Sequence, residues 1–283
     1  MEQGRSTVPA AASRIHDMTD QIVLITGIGC QQEGWGNGLA IAMLFARQGA
    51  KIFGCDLFIS AAEISKTRIL AEFPNADLQV MQADATSKVD MQAFIEACMH
   101  RHQRIDILIN NVGLSEKGDA VSMTEETWTK QIEVNLKSIY LTTHFVLPIM
   151  EKQASGGSVV NISSVAGMRY IGKPQVAYAA AKAAIIQFTK VTAVMYAAKG
   201  IRLNTVVPGL IDTPLVKKLA DKYAGGDYER FRETRARQVP AKRMGTAFEV
   251  AHCVLFLASK EASYVTGTEI VVDGAFTCST GDV

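Results

Sequence analysis

The feature that most constrains the fold is a strand, loop, helix and strand pattern near the start of the chain. Residues 21–27 are an apolar run that leads into Gly27, and residues 36–50 carry apolar side chains at helical spacing. Residues 51–56 form a second apolar run, which ends in Asp56. A buried strand, a glycine loop, a helix and a second strand ending in an acid are typical of a dinucleotide-binding unit, in which the helix N-terminus receives the pyrophosphate. The pattern therefore predicts a parallel sheet with a nucleotide site at its edge.

Apolar runs of strand length alternate with helical patterns along the rest of the chain. Runs without polar alternation are typical of parallel strands that helices cover on both faces. We predict an α/β fold, a Rossmann-like doubly wound parallel sheet of about seven strands in a three-layer α/β/α arrangement. The predicted strands lie near residues 21–26, 51–56, 77–83, 105–110, 157–163, 201–207 and 268–273. Right-handed crossovers bring the carboxyl ends of these strands to one edge, where ligands bind.

A second pattern is an alanine-rich segment in which Tyr178 and Lys182 stand four residues apart. Alanine is the strongest helix former, and this spacing places both side chains on one helix face. An unperturbed tyrosine titrates near ~10, so its ionisation at neutral pH costs about 4 kcal/mol. A cation about 4 Å away returns on the order of 4 kcal/mol at an effective dielectric of about 20. The pair can therefore serve as a general acid and base, although a packed tyrosine beside a surface lysine would show the same spacing.

With these motifs in this order, residues from about 20 to 276 resemble a single-domain member of the short-chain dehydrogenase/reductase family. Further landmarks follow in the order of the family: Thr26, Gly27, Gly36, Gly38, Asp84, residues 110–113, Asn135, Ser164, Pro208, Gly209, Thr213 and residues 267–274. The resemblance implies an oxidoreductase acting on CH–OH groups, which interconverts a secondary alcohol and a ketone with NAD or NADP. Alternatives are a non-redox isomerisation or cyclisation on the same fold, and a cofactor-binding regulator without turnover. The intact set of catalytic residues argues against the regulator.

The resemblance implies four catalytic residues, which are Asn135, Ser164, Tyr178 and Lys182. Ser164 would hold the substrate oxygen, and Tyr178 would move the hydroxyl proton. Lys182 would bind the nicotinamide ribose and lower the pKa of Tyr178. The backbone of Asn135 would hold a water that relays the proton to solvent, a role compatible with a buried, hydrogen-bonded asparagine.

The resemblance also implies which residues bind the cofactor: Gly27, Gly36, Gly38, Asp56, Asp84, Asn111, Tyr178, Lys182, Pro208, Gly209 and Thr213. Asp56 would accept hydrogen bonds from the adenosine ribose, with a helix N-cap as the alternative. The positions where a 2′-phosphate would find a basic partner hold Trp35 and Leu57. A carboxylate about 4 Å from a phosphate costs on the order of 4 kcal/mol, so we predict NAD, with NADP less favoured. Asp84 would bind the adenine or cap the next helix, and Asn111 would brace the sheet beside the cofactor.

The glycine loop departs from the pattern of the family. Eight residues, 28–35, separate Gly27 from Gly36, which is more than the family usually has. The added residues either form a lobe over the pyrophosphate or toward the substrate, or are a surface insertion.

The segment from about 210 to 243 is predicted to be a lid over the substrate. Its charges of both signs at helical spacing predict a solvated face. The opposite wall is predicted to comprise Met168, Arg169, Tyr170, Ile171 and Val176. This mixture favours a medium-sized, partly apolar alcohol or ketone, such as a cyclic alcohol, a steroid or terpenoid, or a polyketide intermediate.

Composition bounds the remaining classes. The chain has 283 residues, 48% of them hydrophobic, so residues 20–283 are predicted to form a single domain. Residues 1–19 are predicted to be a disordered tail, with an organellar signal as the alternative. A net charge of +1 without a basic run disfavours nucleic acid, and five scattered cysteines predict neither a metal site nor a disulfide framework. No apolar run is long enough to span a membrane, so a cytoplasmic location is predicted.

The helical segments near 124–150 and 176–199 carry apolar residues on more than one face. We predict that they pair across two-fold axes in a homodimer or homotetramer, as members of the resembled family commonly do. The alternative is that these helices only curve over a wide sheet.

Overall fold

A parallel sheet forms the centre of the protein, of which the computed structural model describes residues 16–31, 33–223 and 225–280. The strands are β1 (Ile22–Thr26), β2 (Lys51–Asp56), β3 (Leu78–Gln82), β4 (Ile107–Asn110), β5 (Gly157–Ile162), β6 (Ile201–Pro208), β7 (Ile211–Asp212), β8 (Gly245–Thr246) and β9 (Glu269–Val272). Seven of them pair in parallel in the order β3, β2, β1, β4, β5, β6 and β9, while β7 pairs with β8 outside this sheet. The strand order reverses between β1 and β4. The predicted doubly wound α/β fold is therefore confirmed.

Helices cover both faces of the sheet. They are α1 (Asn37–Arg47), α2 (Ile59–Glu72), α3 (Lys88–His102), α4 (Glu125–Ile132), α5 (Ser138–Lys152), α6 (Val176–Tyr196), α7 (Pro214–Tyr223), α8 (Tyr228–Arg237) and α9 (Ala247–Ala258). One apolar cluster packs the sheet against α1, α2 and α9, and a second packs it against α3, α5 and α6. Within the described ranges, no helix combines the length and the apolar character needed to cross a membrane.

A ladder of buried polar side chains crosses the middle of the sheet. Asn110 Nδ2 donates to Asn161 Oδ1 at 2.8 Å, and Asn161 Nδ2 donates to Thr189 Oγ1 at 2.9 Å. Thr142 Oγ1 donates to Asn110 Oδ1 at 2.7 Å. Because a buried amide without partners would cost about 1–3 kcal/mol, the ladder favours one alignment of β4 and β5 against α5 and α6. It therefore helps to position α6, the helix that carries Tyr178.

Packing of the domain begins before β1. The Met18 side chain is buried, and its backbone N–H donates to the Gln48 carbonyl oxygen at 3.1 Å. The His16 ring lies 3.1 Å from the Glu261 carboxylate. His16 and Met18 of the predicted tail thus contact the rest of the described chain, and residues 1–15 lie outside the described residues.

Candidate active site

The carboxyl ends of the strands surround a cavity of about 470 Å³. Most of the predicted site residues line it: Gly27, Gly36, Gly38, Asp56, Asn111, Ser164, Tyr178, Lys182, Pro208, Gly209 and Thr213. Asp84 and Asn135 are not among the lining residues. The fold therefore brings residues that are far apart in sequence to one crevice, at the point where the strand order reverses.

The glycine loop and the start of α1 form one end of the cavity. A Cβ atom at Gly38 would overlap the Gly27 carbonyl oxygen, and Gly27 has a φ of +70°. No side chain caps α1 at Gly36, so the first N–H groups of the helix have no side-chain acceptor. The buried Asn37 Oδ1 also has no hydrogen-bond donor among the described residues. Open N–H groups at the positive end of a helix fit the pyrophosphate of a dinucleotide.

The long loop after β1 is part of the cavity wall. Ile28 is fully buried, and Gly29 and Cys30 line the cavity. The Trp35 ring packs between the Phe248 ring, at 4.7 Å between centroids, and the Arg68 guanidinium, at 4.4 Å. The loop is therefore tied to α2 and α9, and it lines the cavity instead of lying apart from it as a surface insertion. Its predicted placement over the pyrophosphate or toward the substrate stays a prediction.

Asp56 holds this loop while also lining the cavity. Its Oδ2 accepts from the Gly29 N–H at 2.9 Å, and its Oδ1 accepts from the Phe58 N–H at 3.1 Å. A Cβ atom at Gly29 would lie 2.7 Å from the Asp56 carboxyl carbon, so only glycine allows this approach. Phe58, not Asp56, is the N-cap residue of α2, and no side chain caps that helix.

Asp84 turns away from the cavity. Its Oδ1 accepts from both the N–H and the hydroxyl of Thr86, each at 2.8 Å. Ser87 caps α3 by accepting from the Asp90 N–H at 3.2 Å. The predicted cap is thus wrong by three residues, because the serine hydroxyl occupies the capping position. The predicted contact of Asp84 with adenine stays a prediction.

Ser164 and Tyr178 meet at the centre of the cavity. Ser164 follows β5 in extended conformation, and its Oγ accepts from the Ala166 N–H at 3.2 Å. Tyr178 lies in the first turn of α6, with its phenol beside the Ser164 side chain. The two hydroxyl groups can therefore contact the same oxygen of a ligand.

Lys182 lies one helical turn after Tyr178 and is buried. Its Nζ donates to the Ile162 carbonyl oxygen at 3.0 Å and lies 5.5 Å from the centre of the Tyr178 ring. The Ser163 hydroxyl donates to the Lys182 carbonyl oxygen at 2.7 Å. A Cβ atom at Gly167 would lie 2.5 Å from the backbone of α6 at this point. Close packing of β5 and its following turn on α6 therefore sets the position of the lysine.

Burial dominates the titration of this pair in the protein alone. Desolvation lowers the pKa of Lys182 to about 7. Burial also raises the pKa of Tyr178, which the hydrogen bond from Ser164 opposes. The predicted lowering of the Tyr178 pKa by Lys182 therefore stays a prediction, and it requires that bound ligands keep the ammonium charged.

Asn135 does not line the cavity, but its side chain holds the backbone at Leu114, which does. It lies in a π-helical turn between α4 and α5, and its side chain is fully buried. Asn135 Nδ2 donates to the carbonyl oxygens of Leu114 and Gln131 at 2.7 and 2.8 Å, and Oδ1 accepts from the Leu114 N–H at 3.1 Å. A Cβ atom at Gly113 would lie 3.2 Å from Asn135 Oδ1 and 3.3 Å from Lys182 Nζ. The side chain is therefore a structural brace, placed beside Lys182.

The walls beyond the hydroxyl pair differ from the prediction. Ile171 lines the cavity, whereas Met168, Arg169, Tyr170 and Val176 line a second cavity of about 460 Å³ next to it. Met168, Arg169 and Tyr170 are exposed after the turn at Gly167, and Val176 is the first residue of α6. Their sequence did not indicate this placement.

The lid residue that the sequence analysis missed is Arg235. The charge pattern of residues 210–243 predicts that Arg235 lies on the solvated face of the lid, but the side chain is buried and lines the cavity. The sequence does contain a pattern that indicates burial of Arg235. It stands four residues after Phe231, on the apolar side of α8, and four residues before Val239.

One crevice contains both the N-terminus of α1, which suits phosphates, and a tyrosine beside a lysine. This arrangement would bring a bound dinucleotide next to a reactive hydroxyl group. This is the class of dinucleotide-dependent oxidoreductases. The family model described as Enoyl-(Acyl carrier protein) reductase matches residues 33–277. The chain belongs to the short-chain dehydrogenase/reductase family, whose members use NAD or NADP, and it is an oxidoreductase acting on CH–OH groups.

Individual relatives agree with this assignment. The 3-oxoacyl-(acyl-carrier-protein) reductase of Thermotoga maritima is 38% identical over 90% of this chain and 96% of that protein. Levodione reductase of Leifsonia aquatica is 37% identical over 94% of this chain and 97% of that protein. The crystal structure of a short-chain dehydrogenase/reductase from Burkholderia xenovorans, 39% identical, superposes with a TM-score of 0.89 over 94% of this chain and 100% of that chain.

Proposed function

We propose that the protein interconverts a medium-sized, partly apolar secondary alcohol and its ketone, with NAD as the favoured cofactor. The observation that carries the proposal is the Ser164 and Tyr178 hydroxyl pair, with Lys182 one turn away, in the cavity that the glycine loop closes. Apolar side chains supply much of the remaining wall: Ile171, Leu210, Leu215, Val216, Leu219 and Met244.

In the direction of oxidation, the Ser164 hydroxyl holds the substrate oxygen, and the Tyr178 phenolate accepts the hydroxyl proton. The nicotinamide ring supplies the hydride acceptor. In the reverse direction Tyr178 returns the proton to the carbonyl oxygen. Lys182 favours the phenolate while it is charged. A water held by the backbone of Asn135 would relay the proton from Lys182 to solvent.

The residues that would hold the cofactor lie along the cavity from end to end. Gly27, Gly36 and Gly38 would hold the pyrophosphate: Gly27 has a φ of +70°, and only glycine at position 38 lets the start of α1 approach the Gly27 carbonyl oxygen. Asp56 would accept hydrogen bonds from the hydroxyl groups of the adenosine ribose. Its carboxylate oxygens have lone pairs for this besides those that accept from the Gly29 and Phe58 N–H groups. Asn111, Pro208, Gly209 and Thr213 would contact the nicotinamide end.

A screen of cyclic and chain secondary alcohols and their ketones, followed by the absorbance of the reduced nicotinamide, tests the proposal. Turnover by the wild type with at least one pair supports it. Binding of NAD without turnover across the panel would contradict it and favour the non-redox alternatives. A cytoplasmic location stays a prediction.

Exchange of the cofactor preference tests the role of Asp56. Asp56→Asn with Leu57→Arg removes a carboxylate, retains an acceptor for the loop and adds a partner for a 2′-phosphate. The ratio of kcat/KM for NAD over NADP is expected to fall by at least about tenfold. Leu57→Arg alone is the matched control, which separates the added attraction from the lost repulsion. A wild type that already prefers NADP would refute the assignment.

The outer faces of α5 and α6 support assembly into a homodimer or homotetramer. Tyr140, Val191 and Met195 are half or more exposed there, and Val194 is 81% exposed. Val194→Glu is expected to shift the mass measured by light scattering toward the 30.6 kDa monomer, because it buries a charge at the shared face. Val121→Glu, at a loop position that is 95% exposed, is the control and should leave the mass unchanged. A wild type that is monomeric at micromolar concentration would exclude the assembly.

A further inference from the structure

One charged side chain of the lid faces the cavity instead of solvent. Arg235 is 6% exposed, and its guanidinium lies over the Phe231 ring at 5.0 Å from the centroid. Burial alone accounts for its lowered pKa of about 10. Among the described residues, no carboxylate pairs with this guanidinium and no acceptor forms a hydrogen bond with it. Because a buried cation without a partner costs several kcal/mol, the arrangement calls for an anion.

Two other arginines of the same helix, Arg232 and Arg237, are paired and exposed. Arg232 Nε lies 2.7 Å from Asp212 Oδ2, and Arg237 Nη2 lies 3.7 Å from Glu233 Oε2. Arg235 therefore differs from them in both burial and partners, so general solubility of the lid does not explain it.

Most of the charged side chains that line the cavity are cationic, as Arg235 is. Of the described residues that line it, the cationic ones are Lys173, Lys182, Lys218 and Arg235, and the one carboxylate is Asp56. Asp56 lies at the end where the glycine loop is. Arg235 packs with Phe231 in the lid, whose apolar cluster also includes Leu210 and Met244. A ligand with an apolar body and one anionic group would complement this end.

We propose that Arg235 binds an oxyanion of the substrate, a carboxylate or a sulfonate, so that the enzyme acts on an anionic secondary alcohol or ketone. The proposal rests on the proposed function for the reacting end of the substrate. The planar guanidinium can donate two parallel hydrogen bonds to either oxyanion, which orients the substrate across the cavity toward Ser164 and Tyr178.

Unreactive probes of equal length test the binding step by calorimetry on the protein saturated with NAD⁺. We expect hexanoate and hexanesulfonate to bind the wild type about tenfold or more tightly than hexanamide. Arg235→Met should abolish this difference, and Arg235→Lys should retain part of it. Arg237→Met, which removes an exposed arginine of the same helix, should retain all of it.

Several outcomes overturn the proposal. Equal affinity of the wild type for hexanoate and hexanamide does so without any variant, even if Arg235→Met fails to fold. An equal loss for both probes in Arg235→Met would indicate packing alone, and a loss of NAD⁺ affinity in that variant would assign the arginine to the cofactor.

A kinetic arm separates this proposal from the proposed function. In the wild type, the hydroxy acid 3-hydroxyhexanoate should have a lower KM than its methyl ester, and this difference should disappear in Arg235→Met. Turnover of neutral alcohols without a preference for the acid overturns the role of Arg235 alone. Arg235-dependent binding of hexanoate without turnover of any alcohol overturns the redox function alone.

Discussion

Tyr178→Phe is expected to lower kcat by about 10²-fold or more, because it removes the hydroxyl that moves the substrate proton in the proposed mechanism. The ring and its packing in the first turn of α6 are retained, so the affinity for the cofactor should change little. Loss of the polar contact with Ser164 should lower the free energy of unfolding by only about 1 kcal/mol.

Stopped-flow measurement of the hydride-transfer step, with dissociation constants for NAD, checks this result. Tyr170→Phe is the matched control, since Tyr170 is 73% exposed and lines the neighbouring cavity. Near-normal turnover of Tyr178→Phe would remove the tyrosine from the mechanism. A loss of cofactor binding equal to the loss of rate would show that it acts in binding only.

Lys182→Met is expected to change activity and stability in opposite directions. Turnover should fall by about 10²-fold or more, because the cation proposed to favour the Tyr178 phenolate is lost. In the protein without cofactor, the same change removes a desolvated ammonium. The difference between the ordinary pKa of 10.5 and about 7 corresponds to roughly 4–5 kcal/mol of destabilisation. The lost hydrogen bond to Ile162 offsets about 1 kcal/mol of that gain.

The contribution of Lys182 to the free energy of unfolding depends on pH. Below about pH 7 the native and unfolded states both hold the Lys182 proton, and the destabilisation is complete. Between about 7 and 10.5 the unfolded state holds more protons than the native state, so the stability of the wild type rises with pH.

Urea unfolding without cofactor, at about pH 6 and about pH 9, measures the effect. The gain of Lys182→Met over the wild type should be larger at the lower pH. Lys152→Met, at an exposed position of α5, is the control and should show no such difference. A variant that is less stable than the wild type at the lower pH would contradict the account.

The sequence by itself determined the fold, the family and the reaction class. Strand and helix periods are local properties, and the run into Gly27 followed by the acid at Asp56 indicates a dinucleotide unit without knowledge of distant contacts. The four-residue spacing of Tyr178 and Lys182 likewise requires only a helix. These features were predictable because each depends on neighbouring residues and on the fixed handedness of crossovers.

The tertiary structure alone decided what each charged group faces. Arg235 has apolar neighbours at helical spacing in the sequence, but only the packing of α8 on the cavity shows that its guanidinium is buried. The long glycine loop is held beside the cavity because Trp35 contacts Phe248 and Arg68, which belong to elements far apart in the chain. The lowered pKa of Lys182 has the same origin, since desolvation depends on every element that surrounds the ammonium and not on its neighbours in sequence.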